Sequence, residues 1–217
     1  MNRSEVDRLG ERLRREIGAN DLRLLDAYRR SFRAPYDLVV GRIRTDLGLE
    51  VSGRPAKSTL SIVEKLRRGR MRLSQIQDVA GCRVVVPDIP NQGRIKDMLE
   101  EMFETAVFDR RVKPSHAYRA VHVIVRETGL PVEVQLRTDL QHVWAELSEK
   151  LADLFGTEVK YGGGPADIRK TLDDFSALIA EFEQHLDRGK NKGRVTELRK
   201  GIRQAMVELT DALRELR

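Results

Sequence analysis

The chain has 217 residues, 40% hydrophobic and 34% charged, which is ample for one core with or without a helical appendage. Its formal net charge of +6 favours polyanionic partners such as nucleotides or nucleic acid. One cysteine excludes an internal disulfide and a cysteine-based zinc site, and no apolar run reaches the ~20 residues of a membrane helix; with a charged start in place of a signal peptide, the expected location is the cytoplasm, with no membrane partner.

Ser4-Glu5-Val6-Asp7 resembles a capping box, and Val6, Leu9, Leu13 and Ile17 follow at helical spacing. A second helix is predicted from Asp21 (Leu22, Leu25, Tyr28) and a third from about Pro35 (Leu38, Val39, Ile43). Their many arginines read as a solvated face interleaved with acids, a few of them free to line an anion site. Val51 to Lys57 is a loop or short strand, broken by Gly53 and Pro55. Ser58 then caps a helix with Leu60, Ile62, Val63 and Leu66 as its apolar residues. Lys57, Ser61 and Lys65 fall on one ridge. A hydroxyl between two cations near a helix start suits phosphate oxygens, and an ordinary amphipathic helix with its lysines in water reads the same way.

Cys82-Arg83-Val84-Val85-Val86 reads as a central strand, with Cys82 a core thiol. Asp78 and Arg83 flank its entry, and Gly81 permits a close approach. An acid there is placed to hold a metal ion or to cap the turn. A helix follows from about Gln92 to Phe103, then a short strand from Thr105 to Phe108. The loop from Asp109 to Arg119 combines Arg110, Arg111, Lys113 and Arg119 with Tyr118: cations for phosphate, a ring for base stacking. Val121 to Arg126 and Val132 to Thr138 form a hairpin around Gly129 and Pro131. In its second strand Val132, Val134 and Leu136 face one side, and Glu133, Gln135 and Arg137 the other. Asp139 is expected to cap a helix to about Leu154 that carries Trp144. After a Gly-rich hinge at residues 161–165, helices from about Asp167 to Leu186 and Val195 to Leu216, joined by Asp187 to Gly193, read as a helical hairpin. Their apolar stripe is core material. Three segments result: N-terminal helices (1–48), a core (49–160) and the hairpin (161–217).

Four stretches in this order resemble the synthetase domain of the RelA/SpoT family. They are Gly53-Arg54-Pro55-Ala56-Lys57 with Ser61 and Lys65; Gln77-Asp78-Val79-Ala80-Gly81-Cys82-Arg83-Val84; Tyr118-Arg119-Ala120-Val121-His122; and Glu133 through Thr138 with Trp144. The resemblance covers roughly residues 50 to 150. It implies an α/β (α+β) fold: a mixed, nucleotidyltransferase-like β-sheet flanked by helices. It also implies transfer of the β,γ-pyrophosphate of ATP to the 3′-hydroxyl of GDP or GTP, giving (p)ppGpp, with Mg²⁺ as cofactor. By the resemblance Asp78 ligates Mg²⁺, and Glu133 is a second ligand or the general base. Arg54, Lys57, Ser61, Lys65 and Arg83 hold ATP. Lys113, Tyr118, His122, Gln135, Arg137 and His142 line the acceptor side, with Tyr118 stacking on the base.

The chain departs from the family pattern mainly on that side. Ala117 and Ala120 stand where Gly and Ser are common, His142 where an Asn is frequent, and Ser148-Glu149 where an acid–His pair is. Arg54 and Lys57 are also one residue further apart than usual. The implied protein is a small stand-alone alarmone synthetase with no hydrolase domain ahead of it. The alternatives are a toxin-type relative that modifies the tRNA 3′ end or makes (p)ppApp, with a neutralising antitoxin as partner, and a non-catalytic RNA-binding protein. The C-terminal hairpin leaves a homo-oligomer open.

Overall fold

The structure is a computed structural model and describes residues 1–127 and 129–187, with 193, 196, 197, 199–204, 206 and 207. Three helices come first: α1 (Arg3–Arg15), α2 (Ala19–Arg30) and α3 (Arg33–Leu47). The capping box of α1 is formed by Asn2 and Glu5, not by Ser4: Asn2 Oδ1 accepts from Glu5 N at 3.0 Å, and Glu5 Oε2 from Asn2 N at 2.8 Å. Helix α1 stops at Arg15 because Glu16 is extended (φ −140), which leaves Ile17 beyond the apolar stripe and 36% exposed. The arginines of these helices pair with acids as expected: Arg12 with Asp21, Arg29 and Arg30 with Asp26, Arg33 with Asp37, Arg42 with Asp46.

Next come β1 (Ser52–Arg54), α4 (Thr59–Arg68), β2 (Ala80–Val86), α5 (Ile89–Met102), β3 (Thr105–Asp109), β4 (Val121–Val125), β5 (Val132–Thr138), α6 (Asp139–Phe155) and α7 (Ala166–Asp187). The strands make one mixed sheet in the order β1-β2-β5-β4-β3, the fold class expected from the sequence. Strand β1 runs antiparallel to β2, with Ser52 opposite Arg83, Gly53 opposite Cys82 and Arg54 opposite Gly81. A Cβ on Gly53 would fall 2.5 Å from Gly81 O and 2.6 Å from Cys82 Cα, so only glycine lets the two backbones approach this closely.

Helix α5 starts earlier than expected. Asp88 Oδ1 accepts from Asn91 N at 2.9 Å, and Pro90 sits in the first turn, where its missing N–H costs nothing. The cap of α6 is Thr138, not Asp139: Thr138 Oγ1 accepts from Gln141 N at 3.2 Å and Gln141 Oε1 from Thr138 N at 3.3 Å. Several expected stripe residues lie outside the core, Leu60 at 67%, Leu178 at 47% and Leu38 at 39% exposed.

The chain forms two compact units. The first comprises Met1–Val84, Leu99–Val107 and Val123–Gln135; the second comprises Val85–Met98, Phe108–His122 and Leu136–Arg217. The first unit's core includes Leu9, Leu13, Leu25, Phe32, Ile43, Ile62, Leu66, Leu73 and Ile76, all at most 1% exposed. In the second, Leu140, Trp144, Leu147 and Leu151 of α6 pack with Leu172 and Ile179 of α7. Trp144 Nε1 donates to Leu172 O at 2.9 Å. Of the helix expected from Val195 to Leu216, the described residues 196, 197, 199–204, 206 and 207 are helical, with Met206 fully buried. The rest of it, and most of the connection from Asp187 to Gly193, lie outside the described residues.

Candidate active site

In the first unit the sequence brings two expected site residues, Lys57 and Lys65, onto the carboxylate of a third, Asp78. Ser58 caps α4, its Oγ accepting from Ser61 N at 3.2 Å, so Lys65 projects one turn beyond Ser61. Lys57, just before the cap, is fixed by its own backbone, N donating to Val79 O at 2.6 Å. The ammonium of Lys57 lies 2.7 Å from Asp78 Oδ2, and that of Lys65 2.7 Å from Asp78 Oδ1. Burial pushes the Asp78 carboxyl up, but Lys65 and Lys57 together outweigh it and bring it down to about 2, so the group is ionised at any physiological pH. Ser61 does not join the lysines: its hydroxyl accepts from Ser58 Oγ at 2.8 Å, so the expected ridge is a two-lysine clamp on Asp78.

Glu133 enters from β5. An ideal Cβ on Gly81 would lie 3.3 Å from Glu133 O and 3.9 Å from its Oε2, so Gly81 clears the space that Glu133 occupies. Gln135 Nε2 donates to Glu133 Oε2 at 2.8 Å, aligning the carboxylate along its strand. Arg54 stands exposed on β1 and Arg83 half-buried on β2. Burial, with the Glu133 charge adding to it, pushes the Cys82 thiol up to about 12, in keeping with a core thiol.

The second unit gathers another set. His116 (φ 52) and Ala117 (φ 66) are both left-handed, and Ser115 and Tyr118 exchange N–H···O bonds of 3.2 and 3.1 Å around them, a tight turn of type I′ geometry. That turn delivers Tyr118, whose hydroxyl lies 3.1 Å from His122 Nε2 and accepts from Arg137 Nη2 at 3.2 Å and Nε at 3.3 Å. The Arg137 guanidinium also covers the ring, 5.2 Å from its centroid. Arg137 is buried more deeply than Glu133 and Gln135 on the same strand face: it is 5% exposed. Lys113 is exposed on the loop, and His142 Nε2 lies 3.6 Å from Glu146 Oε1 on α6.

Three contributors, Arg29, Ser176 and Glu183, escape a reading by motif, and Arg111, expected as a phosphate cation of the loop, pairs with an acid instead. Arg29, on α2, donates to Lys57 O at 2.7 Å and Thr59 Oγ1 at 3.3 Å, holding the segment that carries the clamp. Arg111 grips Asp109 at 2.5 Å and leaves its carbonyl to Arg119. Ser176 and Glu183 of α7 reach the loop and the start of α6. For the last two a signal was present: polar residues on a stripe otherwise apolar.

Residues 53–152 match the model of the region found in RelA / SpoT proteins. An uncharacterized protein of Mycobacterium tuberculosis is 36% identical over 137 residues, which are 61% of this chain and 50% of that protein. The GTP pyrophosphokinase YjbM of Bacillus subtilis is 28% identical over 152 residues, 63% of this chain and 69% of that one. The chain thus spans about half the length of the mycobacterial relative. The crystal structure of small alarmone synthetase 1 from Bacillus subtilis bound to its product pppGpp has the same fold, with a TM-score of 0.59 at 23% identity, covering 79% of this chain and 96% of that one. Residues 53–152 of the chain are thus a region of the kind found in RelA / SpoT proteins.

Proposed function

We propose that the chain is a pyrophosphotransferase that moves the β,γ-pyrophosphate of ATP onto the 3′-hydroxyl of GDP or GTP. The observation that carries this reading is the two-lysine clamp on Asp78. Two ammonium groups held on one carboxylate keep a net positive charge and are a site poised for a polyphosphate, whose oxygens replace that carboxylate as their partner. The match of residues 53–152 to the RelA/SpoT region and the fold shared with a synthetase bound to pppGpp support it.

Among the described residues, no group of three or more His, Cys, Asp or Glu side chains is placed to hold a metal. The donor set fits Mg²⁺ nonetheless: Mg²⁺ is commonly bound by one or two carboxylates and completes its shell with water and substrate phosphates. Asp78, ionised, and Glu133 would hold it. When bound it supplies charge neutralisation on the phosphate oxygens.

In the reaction the acceptor 3′-oxygen attacks the β-phosphorus of ATP, and the bond from that phosphorus to the α,β-bridging oxygen breaks, releasing AMP. Glu133, aligned by Gln135, takes the hydroxyl proton. Lys57 and Lys65 hold the transferred phosphates, while Arg54 and Arg83 hold adenine and the remaining charge. Tyr118, His122 and Arg137 receive the acceptor nucleotide. The same chemistry on a tRNA 3′ end is the second reading, favoured by the exposed run Arg67, Arg68, Arg70 and Arg72 at and just beyond the end of the clamp helix.

Incubation with γ-labelled ATP, Mg²⁺ and GDP, GTP, AMP or bulk tRNA tests both. Label on GDP or GTP upholds the first reading, and label on tRNA alone replaces it by the second. Glu133→Gln should abolish transfer and leave ATP binding nearly intact; unchanged turnover removes Glu133 from the mechanism.

A further inference from the structure

Leu172, Ser176, Ile179 and Glu183 follow one another at spacings of four, three and four along α7, one continuous face, and all four are at most 4% exposed. Two of them are polar. A buried hydroxyl and a buried carboxylate cost free energy unless their hydrogen bonds are made, and here they are.

Ser176 Oγ donates to Ala117 O at 2.6 Å and accepts from Arg119 Nε at 3.1 Å. Arg119 Nη1 in turn donates to Arg111 O at 2.5 Å. The element held in this way is the turn whose two central residues, His116 and Ala117, both lie in the left-handed region. Backbone in that state persists only where its surroundings fix it, and the residue it delivers is Tyr118. Two turns further along α7, Glu183 accepts from Thr138 Oγ1 and, at 3.0 Å, from Gln141 Nε2. Gln141 Oε1 accepts from Gln92 Nε2 at 2.9 Å, and that amide also donates to Leu136 O at 2.7 Å. Leu136 and Thr138 are the two neighbours of Arg137. One helix face therefore fixes the turn before Tyr118 and the strand on both sides of Arg137.

We propose that Ser176 and Glu183 are positioning residues for the acceptor nucleotide, holding Tyr118 and Arg137 in the mutual geometry that receives it. This rests on the assignment of Tyr118 and Arg137 to the acceptor side. Apolar residues would fill the same volume, but directional hydrogen bonds set the register of the loop and strand to within tenths of an ångström. A purely structural role would lower every property of the enzyme together; a positioning role splits them.

The experiment uses the full chain with Ser176→Ala, Ser176→Thr and Glu183→Gln, and reads steady-state kinetics with ATP and GDP together with amide hydrogen exchange. Ser176→Ala should raise the KM for GDP about tenfold and leave that for ATP within about twofold. Exchange at the Ser115 and Tyr118 amides should accelerate at least tenfold, while α4 is unchanged. Ser176→Thr, which keeps the hydroxyl, should restore both. Glu183→Gln, which turns one accepting oxygen into a donor facing Thr138 or Gln141, should raise the GDP KM similarly. Equal rises in both KM values, or exchange that changes everywhere or nowhere, overturn the proposal. Wild-type protein that transfers to no acceptor overturns the proposed function instead, and exchange confined to the turn upholds the Ser176 brace even then.

Discussion

Arg137 lies over the ring of Tyr118 and donates to its hydroxyl from both Nε and Nη2, at 3.3 and 3.2 Å. A guanidinium at 5% exposure has given up its water, so the phenolic oxygen carries part of its solvation. Tyr118→Phe keeps the ring for stacking and removes that acceptor. A hydrogen bond to a charged group contributes about 1.5–3 kcal/mol. The variant should lose about 2 kcal/mol of stability in urea unfolding. Its kcat/KM for the acceptor should fall on the order of tenfold, with the KM for ATP unmoved. Loss of ATP affinity instead would place Tyr118 on the donor side.

Ala117 holds φ at 66 where the family pattern commonly has glycine. A left-handed alanine costs roughly 1–2 kcal/mol, partly offset because glycine is freer in the unfolded chain. Ala117→Gly should therefore stabilise the protein by about 0.5–1 kcal/mol, a rise in Tm of a few degrees at most for a chain of this size. Its carbonyl still accepts from Ser176, so the turn persists. A lowered Tm would mean that the methyl group packs productively in the hydrophobic cluster against which Ala117 lies.

Gly53 meets Cys82 across the β1–β2 ladder, and a methyl group there has backbone atoms at 2.5 and 2.6 Å to displace. Neither is the end of a flexible side chain, so the strand must move. Strand β1 has three residues, all exposed, and losing it costs little core. Gly53→Ala should thus leave the melting transition within a few degrees and raise the KM for ATP at least tenfold, because Arg54 follows directly and Arg83 follows its partner Cys82. Isothermal titration with ATP checks it; unchanged affinity would detach β1 from nucleotide binding.

Strand β5 was legible because it carries period-two alternation: buried and half-buried residues alternate along it, departing only where Arg137 is drawn inward. The cause of that departure is Tyr118, 19 residues away in sequence, and no local pattern encodes it. The convergence of Lys57 and Lys65 was half legible. Helical spacing aligned them with Ser61, but which side chain would meet the lysines depended on Asp78 arriving from the segment before β2. Cap positions were missed by one or two residues because Ser4 and Asp139 are as good capping types as Asn2 and Thr138, and tertiary context chooses among them. The roles of Ser176 and Glu183 were hidden by treating an apolar stripe as uniform, when its two polar members are its specific contacts.

Asp78 supplies the last prediction through its charge. Its side chain is 20% exposed, and its folded pKa is about 2 against an ordinary 3.8. A depressed carboxylate pKa contributes stability that is complete above the unfolded value and is lost as pH falls through the folded one. The contribution is on the order of 2 kcal/mol at neutral pH. Wild type should therefore exceed Asp78→Asn in urea stability by about that amount at pH 7. The gap should begin to close below about pH 4 and vanish as pH falls through about 2, below which both proteins carry a neutral side chain at this position. The same substitution leaves the Lys57 and Lys65 ammonium groups without the charge that balances them. ATP binding measured without divalent metal should then tighten, since the phosphates no longer displace a competing carboxylate, while Mg²⁺-supported transfer is lost. A stability gap that does not vary with pH would mean that the clamp contributes through packing and not through charge. Weakened metal-free ATP binding would show that phosphates do not take Asp78's place between the two lysines.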